Sequence, residues 1–331
     1  MMLNKYLFSS GETARASYAH TFKANLYKTF TTFRLSMVQQ PYLTTPCSAS
    51  GRYYCLEEKI GQGASGIVYK AHDLAQPDIK VAIKRPRKDN QIIDIILNVQ
   101  SRTMREAGFL QLIKHPHVVR YIDHGAEPEF SYVVMEYIPA TLNHARASQE
   151  VIENYIAQIP LILKVLLDSN VAHCDLKAGN IGYVSETLKL LDFGLAVPFE
   201  HNFFHFNLPV QPHHPPELRR AQIVTKTTDT YSAGKILEYM VLGEYNYSAT
   251  AAITKMKKIY GAAPPKSFQH LLGSMLRQQH FRRPNPLQLQ ELANNALRDL
   301  SRKKYFSAGA DMPLAEASID FFGSASSSSS P

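Results

Sequence analysis

The chain has 331 residues, 45% of them apolar and 19% charged, enough to bury a sizeable core and to exclude a globally disordered polymer. Its 36 Lys and Arg outnumber 28 Asp and Glu, for a net charge of +8, but they fall in small groups such as Arg219–Arg220 and Arg282–Arg283 that read as solvated faces, so no nucleic-acid partner is expected. Three cysteines, Cys47, Cys55 and Cys174, argue against a disulfide framework and fit a reducing compartment, and no stretch approaches the ~20 apolar residues of a membrane span.

Residues 1–51 read as an N-terminal extension without fixed structure. Glu12 is the only acid among residues 1–50, with Lys5, Arg15, Lys23, Lys28 and Arg34 scattered between Ser, Thr, Tyr and Phe. An organelle transit peptide has this composition. A plain leader or an initiator at Met37 explains it as well, and the expected compartment is the cytoplasm, with targeting by residues 1–36 as the alternative. Next, Tyr53–Ile60, Ile67–Ala71 and Val81–Lys84 are β-prone runs that suggest a small antiparallel sheet. Ile92 to Ile113 has helical periodicity. Val118–Ile122 and Tyr132–Tyr137 are further strand candidates. From Ala147 the chain turns mainly helical, with Pro160 expected to kink the first helix. A helix over 229–242 ends at Gly243, two more lie within 266–300, and the Ser-rich residues 306–331 read as a disordered tail.

Four local patterns carry chemistry. Gly61, Gly63 and Gly66 lie between two strands, where glycine lets backbone amides close over phosphate without a Cβ in the way. The following Ile67-Val68-Tyr69 is a strand, which favours a β-hairpin flap over a dinucleotide-binding turn. Lys84 ends a strand eighteen residues after Gly66, a spacing suited to an ammonium that reaches phosphates; Glu106 is the acid chosen to hold it. His173-Cys-Asp175-Leu-Lys177-Ala-Gly-Asn180 offers a carboxylate to orient a hydroxyl, and Asn180 with Asp192 of Asp192-Phe-Gly194 offers hard oxygens for Mg²⁺. Any one of these is commonplace, since Asp and Asn are ordinary turn residues. Four in one order are not.

From Tyr53 to Tyr305 this pattern resembles the eukaryotic-type protein kinase family. The resemblance implies an α+β, bilobal fold: an N-lobe over 52–137 of antiparallel sheet plus one helix, and a mainly helical C-lobe over 138–305. It implies ATP against Ile60, Gly61, Gly63, Gly66, Val68, Ala82 and Lys84, with Met135, Glu136 and Ile138 as gatekeeper and hinge and Gly182 beneath adenine. Asp175, Lys177, Lys84 and Glu106 take the catalytic positions, and Asn180 and Asp192 hold Mg²⁺. Glu217 of His214-Pro-Pro-Glu217 is expected to pair with Arg283, and Tyr231 stands where the family usually has Trp. Lys177, two residues after Asp175, is similar to Ser/Thr kinases, so a protein Ser/Thr hydroxyl is the expected acceptor. A pseudokinase scaffold and a small-molecule kinase are the alternatives.

Four departures from the family stand out. Cys174 replaces the Arg that receives an activation-loop phosphate; a buried neutral side chain is expected there over a redox-active thiol. Val210 replaces a Thr that bonds the catalytic Asp and Lys. Gly182 replaces an apolar side chain, which leads to the expectation of an open floor under adenine. The segment 195–216 has His201, His205, His213 and His214 and no Ser, Thr or Tyr. Its prolines and aromatics read as an irregular, partly buried loop more readily than as a metal site, and an enzyme active without phosphorylation there is the expectation.

Overall fold

The computed structural model describes residues 45, 48–63, 66–86, 93–126, 131–143, 147–199, 211–221, 223–245 and 248–306. The N-terminal extension up to residue 44, His201, His205, Val210 and the tail from 307 lie outside them.

Strands β1 (Tyr54–Gly63), β2 (Gly66–Asp73), β3 (Gln76–Arg85), β4 (Tyr121–Ala126) and β5 (Ser131–Glu136) form one antiparallel sheet in the order β1-β2-β3-β5-β4. Alternation along the strands decides what each face does. Val81, Ile83, Tyr132 and Val134 pack with Tyr54 and Leu56 on the outer face. Val68, Ala82, Val133 and Met135 point the other way and join the main core. Register places Val68 opposite Lys84 and Ala82 opposite Met135, so Lys84 shares the core-facing side with Ala82. Helix α1 (Ile93–Leu112) packs against β4 and β5.

Packed residues reach further upstream than the boundary expected at 51/52. Thr45 Oγ1 accepts from the Tyr54 amide, and Ser48 Oγ donates to Asp123 Oδ2 at 2.5 Å. Strand β4 also starts later than expected. Val118 and Val119 instead pair with Leu190 of the second lobe, so these β-branched residues serve a lobe junction and not the sheet.

The second lobe is built on α2 (Gln149–Asp168), which opens on the Ser148 N-cap and runs through Pro160 without a break. Short strands β6 (Val171–Ala172), β7 (Ile181–Val184), β8 (Thr187–Leu190) and β9 (Val197–Pro198) make two ribbons, β6 with β9 and β7 with β8. Helices α3 (Pro216–Ala221), α4 (Thr228–Leu242), α5 (Ala249–Tyr260), α6 (Lys266–Met275) and α7 (Pro286–Leu300) follow. Gly243 ends α4 in the left-handed region at φ 81°, a conformation glycine adopts without steric cost. Asn285 and Gln288 close a capping box at the start of α7. Phe306 is buried against Tyr260 and Phe268, so the packed lobe ends one residue beyond the boundary expected at 305. Among the described residues no helix is long and apolar enough to cross a membrane.

Candidate active site

A cleft lies between the sheet and the segment that follows the β7–β8 hairpin, lined by Val68, Ala82, Lys84, Glu106, Val119, Met135, Glu136, Ile138, Leu191 and Asp192. Its apolar walls with a few convergent charged side chains suit a small-molecule ligand. Eight of these ten residues were expected from the sequence; Val119 and Leu191 were not. Ile60 is buried in the main core, and neither it nor Gly61, Gly63, Gly66 or Gly182 is among the residues that line this cleft. Glu136 is tied down by the Lys189 ammonium at 2.8 Å and the Arg120 amide at 2.7 Å.

Gly66 has φ 142°, and a Cβ there would lie 2.3 Å from the Arg85 carbonyl oxygen. Only glycine lets the β1–β2 hairpin close so tightly over β3. Gly182 corrects an expectation. A Cβ at that position would sit 2.7 Å from Ile138 Cγ2 and 3.4 Å from both Leu191 methyls. The floor is therefore filled by Ile138 and Leu191, and Gly182 exists because there is no room for more.

Lys84 Nζ stands 2.8 Å from Glu106 Oε2 and 2.6 Å from Asp192 Oδ1, all three nearly inaccessible to solvent. Burial disfavours the Lys84 charge, but the two acids outweigh it and hold the ammonium above its usual range. Burial pushes the Glu106 carboxyl up to about 7 against the pull of Lys84. Asp192 is lowered, because Lys84 overcomes its burial. Asp192 itself is left-handed at φ 60°, and its Oδ1 accepts from the Gly194 amide at 3.1 Å. Phe193 packs against Phe109 of α1 and edge-on against His173, which locks this turn to both lobes.

Around Asp175 the carboxylate is crowded with donors. Lys177 Nζ donates to Oδ2 at 2.9 Å. Asn180 Nδ2 donates to Oδ2 at 3.1 Å and to the Asp175 carbonyl at 2.8 Å. His213 Nε2 donates to Oδ1 at 2.9 Å. Burial raises the Asp175 pKa, but Lys177 and the His213 bond win and hold the carboxyl well below the usual range. The loop is braced from behind, where Asp229 accepts the His173 amide at 2.7 Å and the Cys174 amide at 3.1 Å. Cys174, at φ 65°, is buried among Ala172, Val197, Leu218 and Val224. Burial, with Asp229 and Asp175 adding to it, pushes its thiol well above the ordinary range, so it is the small neutral residue expected and not a reactive thiolate.

The later motif pairs as expected. Arg283 binds both Glu217 oxygens, at 2.6 and 2.7 Å. Tyr231 lies under its guanidinium at 4.9 Å, a cation–π contact in the place where the family carries Trp. Sequence reasoning placed His213 in the loop but missed its bond to Asp175.

An antiparallel sheet and one helix closing over a helical lobe, with an acid from each lobe meeting one buried lysine, is the architecture of a kinase. Comparison with known proteins agrees, since residues 54–297 match the family model described as protein kinase domain. This chain belongs to the protein kinase family. It is similar to serine/threonine-protein kinase PrkC of Bacillus subtilis, at 30% identity over 234 residues, 66% of this chain and 34% of that protein. It is likewise similar to serine/threonine-protein kinase ATG1b of Arabidopsis thaliana, at 27% over 236 residues, 66% of this chain and 32% of that one. A probable serine/threonine-protein kinase, PknB of Lactococcus lactis, matches at 30% over 225 residues, 65% and 35% of the two chains. The chain spans about a third of the length of these relatives.

Proposed function

We propose that this chain is an ATP:protein phosphotransferase acting on Ser/Thr hydroxyls, and that it works without phosphorylation between Asp192 and Glu217. The observation that carries the reading is the Lys84 ammonium held at 2.8 Å by Glu106 and 2.6 Å by Asp192. Nucleotide binding alone would use this anchor; the reading as an enzyme rests on its occurring together with Asp175, a carboxylate that orients an acceptor hydroxyl and has no part in holding nucleotide. The names of the relatives support Ser/Thr as acceptor.

The residues fit the cofactors. Asn180 Oδ1 is a buried oxygen with no hydrogen-bond partner in the structure, and such an atom is explained by a ligand. With its amide nitrogen spent on Asp175, that oxygen and the Asp192 carboxylate would hold Mg²⁺, a hard-oxygen ligand set. When bound, ATP would supply the γ-phosphoryl group and Mg²⁺ would neutralise charge on it. Val68, Ala82, Met135, Ile138 and Leu191 exclude water from the base. Lys84 would orient the phosphates, and Lys177 Nζ, bonded to Asp175 Oδ2 at 2.9 Å, would act on the transferred group. Asp175 orients the acceptor hydroxyl and takes its proton late, as its depressed pKa requires. Regulation by loop phosphorylation lacks both parts, since segment 195–216 carries no Ser, Thr or Tyr and Cys174 stands at the arginine receiver. The test is transfer of labelled phosphate from ATP to a generic Ser/Thr protein by phosphatase-treated chain, with Asp175→Asn as the inactive control.

A further inference from the structure

Asp175 has one more partner than the proposed chemistry uses. Its Oδ2 accepts two bonds, from Lys177 at 2.9 Å and Asn180 at 3.1 Å, which fills that oxygen. Its Oδ1 accepts one, from His213 Nε2–H at 2.9 Å, and keeps one lone pair. His213 is itself fixed on three sides. Its carbonyl accepts from Ser232 Oγ at 3.0 Å, its ring meets His214 edge-on at 4.5 Å, and Tyr245 lies at 6.1 Å. The family's usual Thr, which would reach the same carboxylate, is Val210 here, and valine has no donor.

We propose that His213 is a positioning residue for phosphoryl transfer: it pins the Asp175 carboxylate so that the remaining lone pair of Oδ1 receives the acceptor hydroxyl. The inference rests on the reading of Asp175 as the group that orients that hydroxyl. A metal ion is the rival explanation, because Asp175, His213 and His214 bring three ligand atoms within 4.8 Å. The hydrogen bonds decide against it. His214 Nδ1 accepts from the Gln211 amide at 3.2 Å, so the proton of the neutral ring sits on Nε2, 3.9 Å from Asp175 Oδ1. His213 likewise spends Nε2–H on Oδ1. Both rings turn a proton, not a lone pair, towards the carboxylate, whereas a metal-ligating ring normally donates its other N–H outward.

Protonation of His213 would bind Oδ1 harder and withdraw it from the hydroxyl. The groups facing that ring are Asp175 and Lys177 of the catalytic loop, His214 of its own segment and Tyr245 after α4. Burial pushes the ring's pKa down, so its charging produces an activity limb below the ordinary histidine range.

The experiment compares wild type with His213→Leu, which keeps bulk, and His213→Gln, which restores an N–H donor at the Nε2 end. His213→Leu is expected to lose on the order of 10²-fold in kcat, the scale of a misplaced reacting group, with KM for ATP and Tm close to wild type. His213→Gln is expected to recover most of the loss and to lack the acid limb. Wild-type kcat in the Leu variant, or a Gln variant as poor as Leu, overturns the proposal. So does Zn²⁺ inhibition of wild type that both His213→Gln and His214→Gln abolish, which would make the cluster a metal site. Imidazole ¹⁵N spectra separate this inference from the functional reading. An Nε2-protonated His213 whose signal shifts in Asp175→Ala supports the bond even in a chain without turnover, and an Nδ1-protonated ring refutes it in an active one.

Discussion

Gly182→Leu reverses what the sequence suggests, which makes it a discriminating perturbation. Read from the motif alone, the substitution restores a missing apolar contact and should tighten ATP binding. The structure says otherwise. The new Cβ alone would lie 2.7 Å from Ile138 Cγ2, well inside contact distance, and Ile138 can yield only by rotating χ1 because it is β-branched. Ile138 lines the cleft, so its displacement intrudes on the nucleotide. Overpacking of this kind costs about 1–3 kcal/mol, equivalent to a loss of roughly 5- to 150-fold in affinity if all of it falls on binding. Calorimetry with a non-hydrolysable ATP analogue and Mg²⁺ reads the affinity, and Tm reads the share absorbed by the fold. Ile138→Ala removes the clashing methyl, so Gly182→Leu combined with Ile138→Ala should bind better than the two single effects predict. Tighter binding in Gly182→Leu alone would refute the filled-floor geometry.

Other outcomes follow from the same structure. Lys84→Met should abolish most turnover and weaken Mg-ATP binding while the chain stays folded; it also leaves Glu106 and Asp192 facing each other without their cation, so wild-type phosphate transfer would point to an anchor elsewhere. Glu106→Gln should be milder, because Asp192 still holds Lys84 at 2.6 Å; a loss as deep as that of Lys84→Met would contradict this order. Glu217→Gln should lower Tm, since it leaves the buried Arg283 guanidinium with half of its bidentate partner, a change on the order of 3–5 kcal/mol for a broken buried pair; an unchanged melting curve would argue against the pairing. Phosphatase treatment should leave specific activity unchanged, and activity that returned only on rephosphorylation between Asp192 and Glu217 would overturn the switch-free loop.

Much of this was legible locally. The glycine hairpin, Lys84, the Asp175–Asn180 loop and Asp192 are short patterns whose spacing survives without knowledge of the fold, and the β-prone runs of β1–β3 announce the sheet. What the sequence hid depends on contacts across distance. Val118 and Val119 have the side chains of sheet residues, yet pair with Leu190. Helix α5 buries only Ala252 and Met256, too thin a stripe to stand out by periodicity. Gly182 looks like a gap until Ile138 is seen filling it. His213 reaches Asp175 over 38 residues, and nothing in its neighbours signals the bond.

The central claim is that Asp175 orients a protein hydroxyl for attack on ATP held by Lys84, Asn180 and Asp192. Its most direct test is one paired measurement on phosphatase-treated wild type and Asp175→Asn: phosphate transfer to a Ser/Thr protein, with ATP affinity read on the same samples. Transfer by wild type, a loss on the order of 10²–10⁴-fold in the variant and unchanged ATP affinity are the predicted result. Full transfer by Asp175→Asn, or a wild type that binds Mg-ATP but transfers nothing, would contradict it.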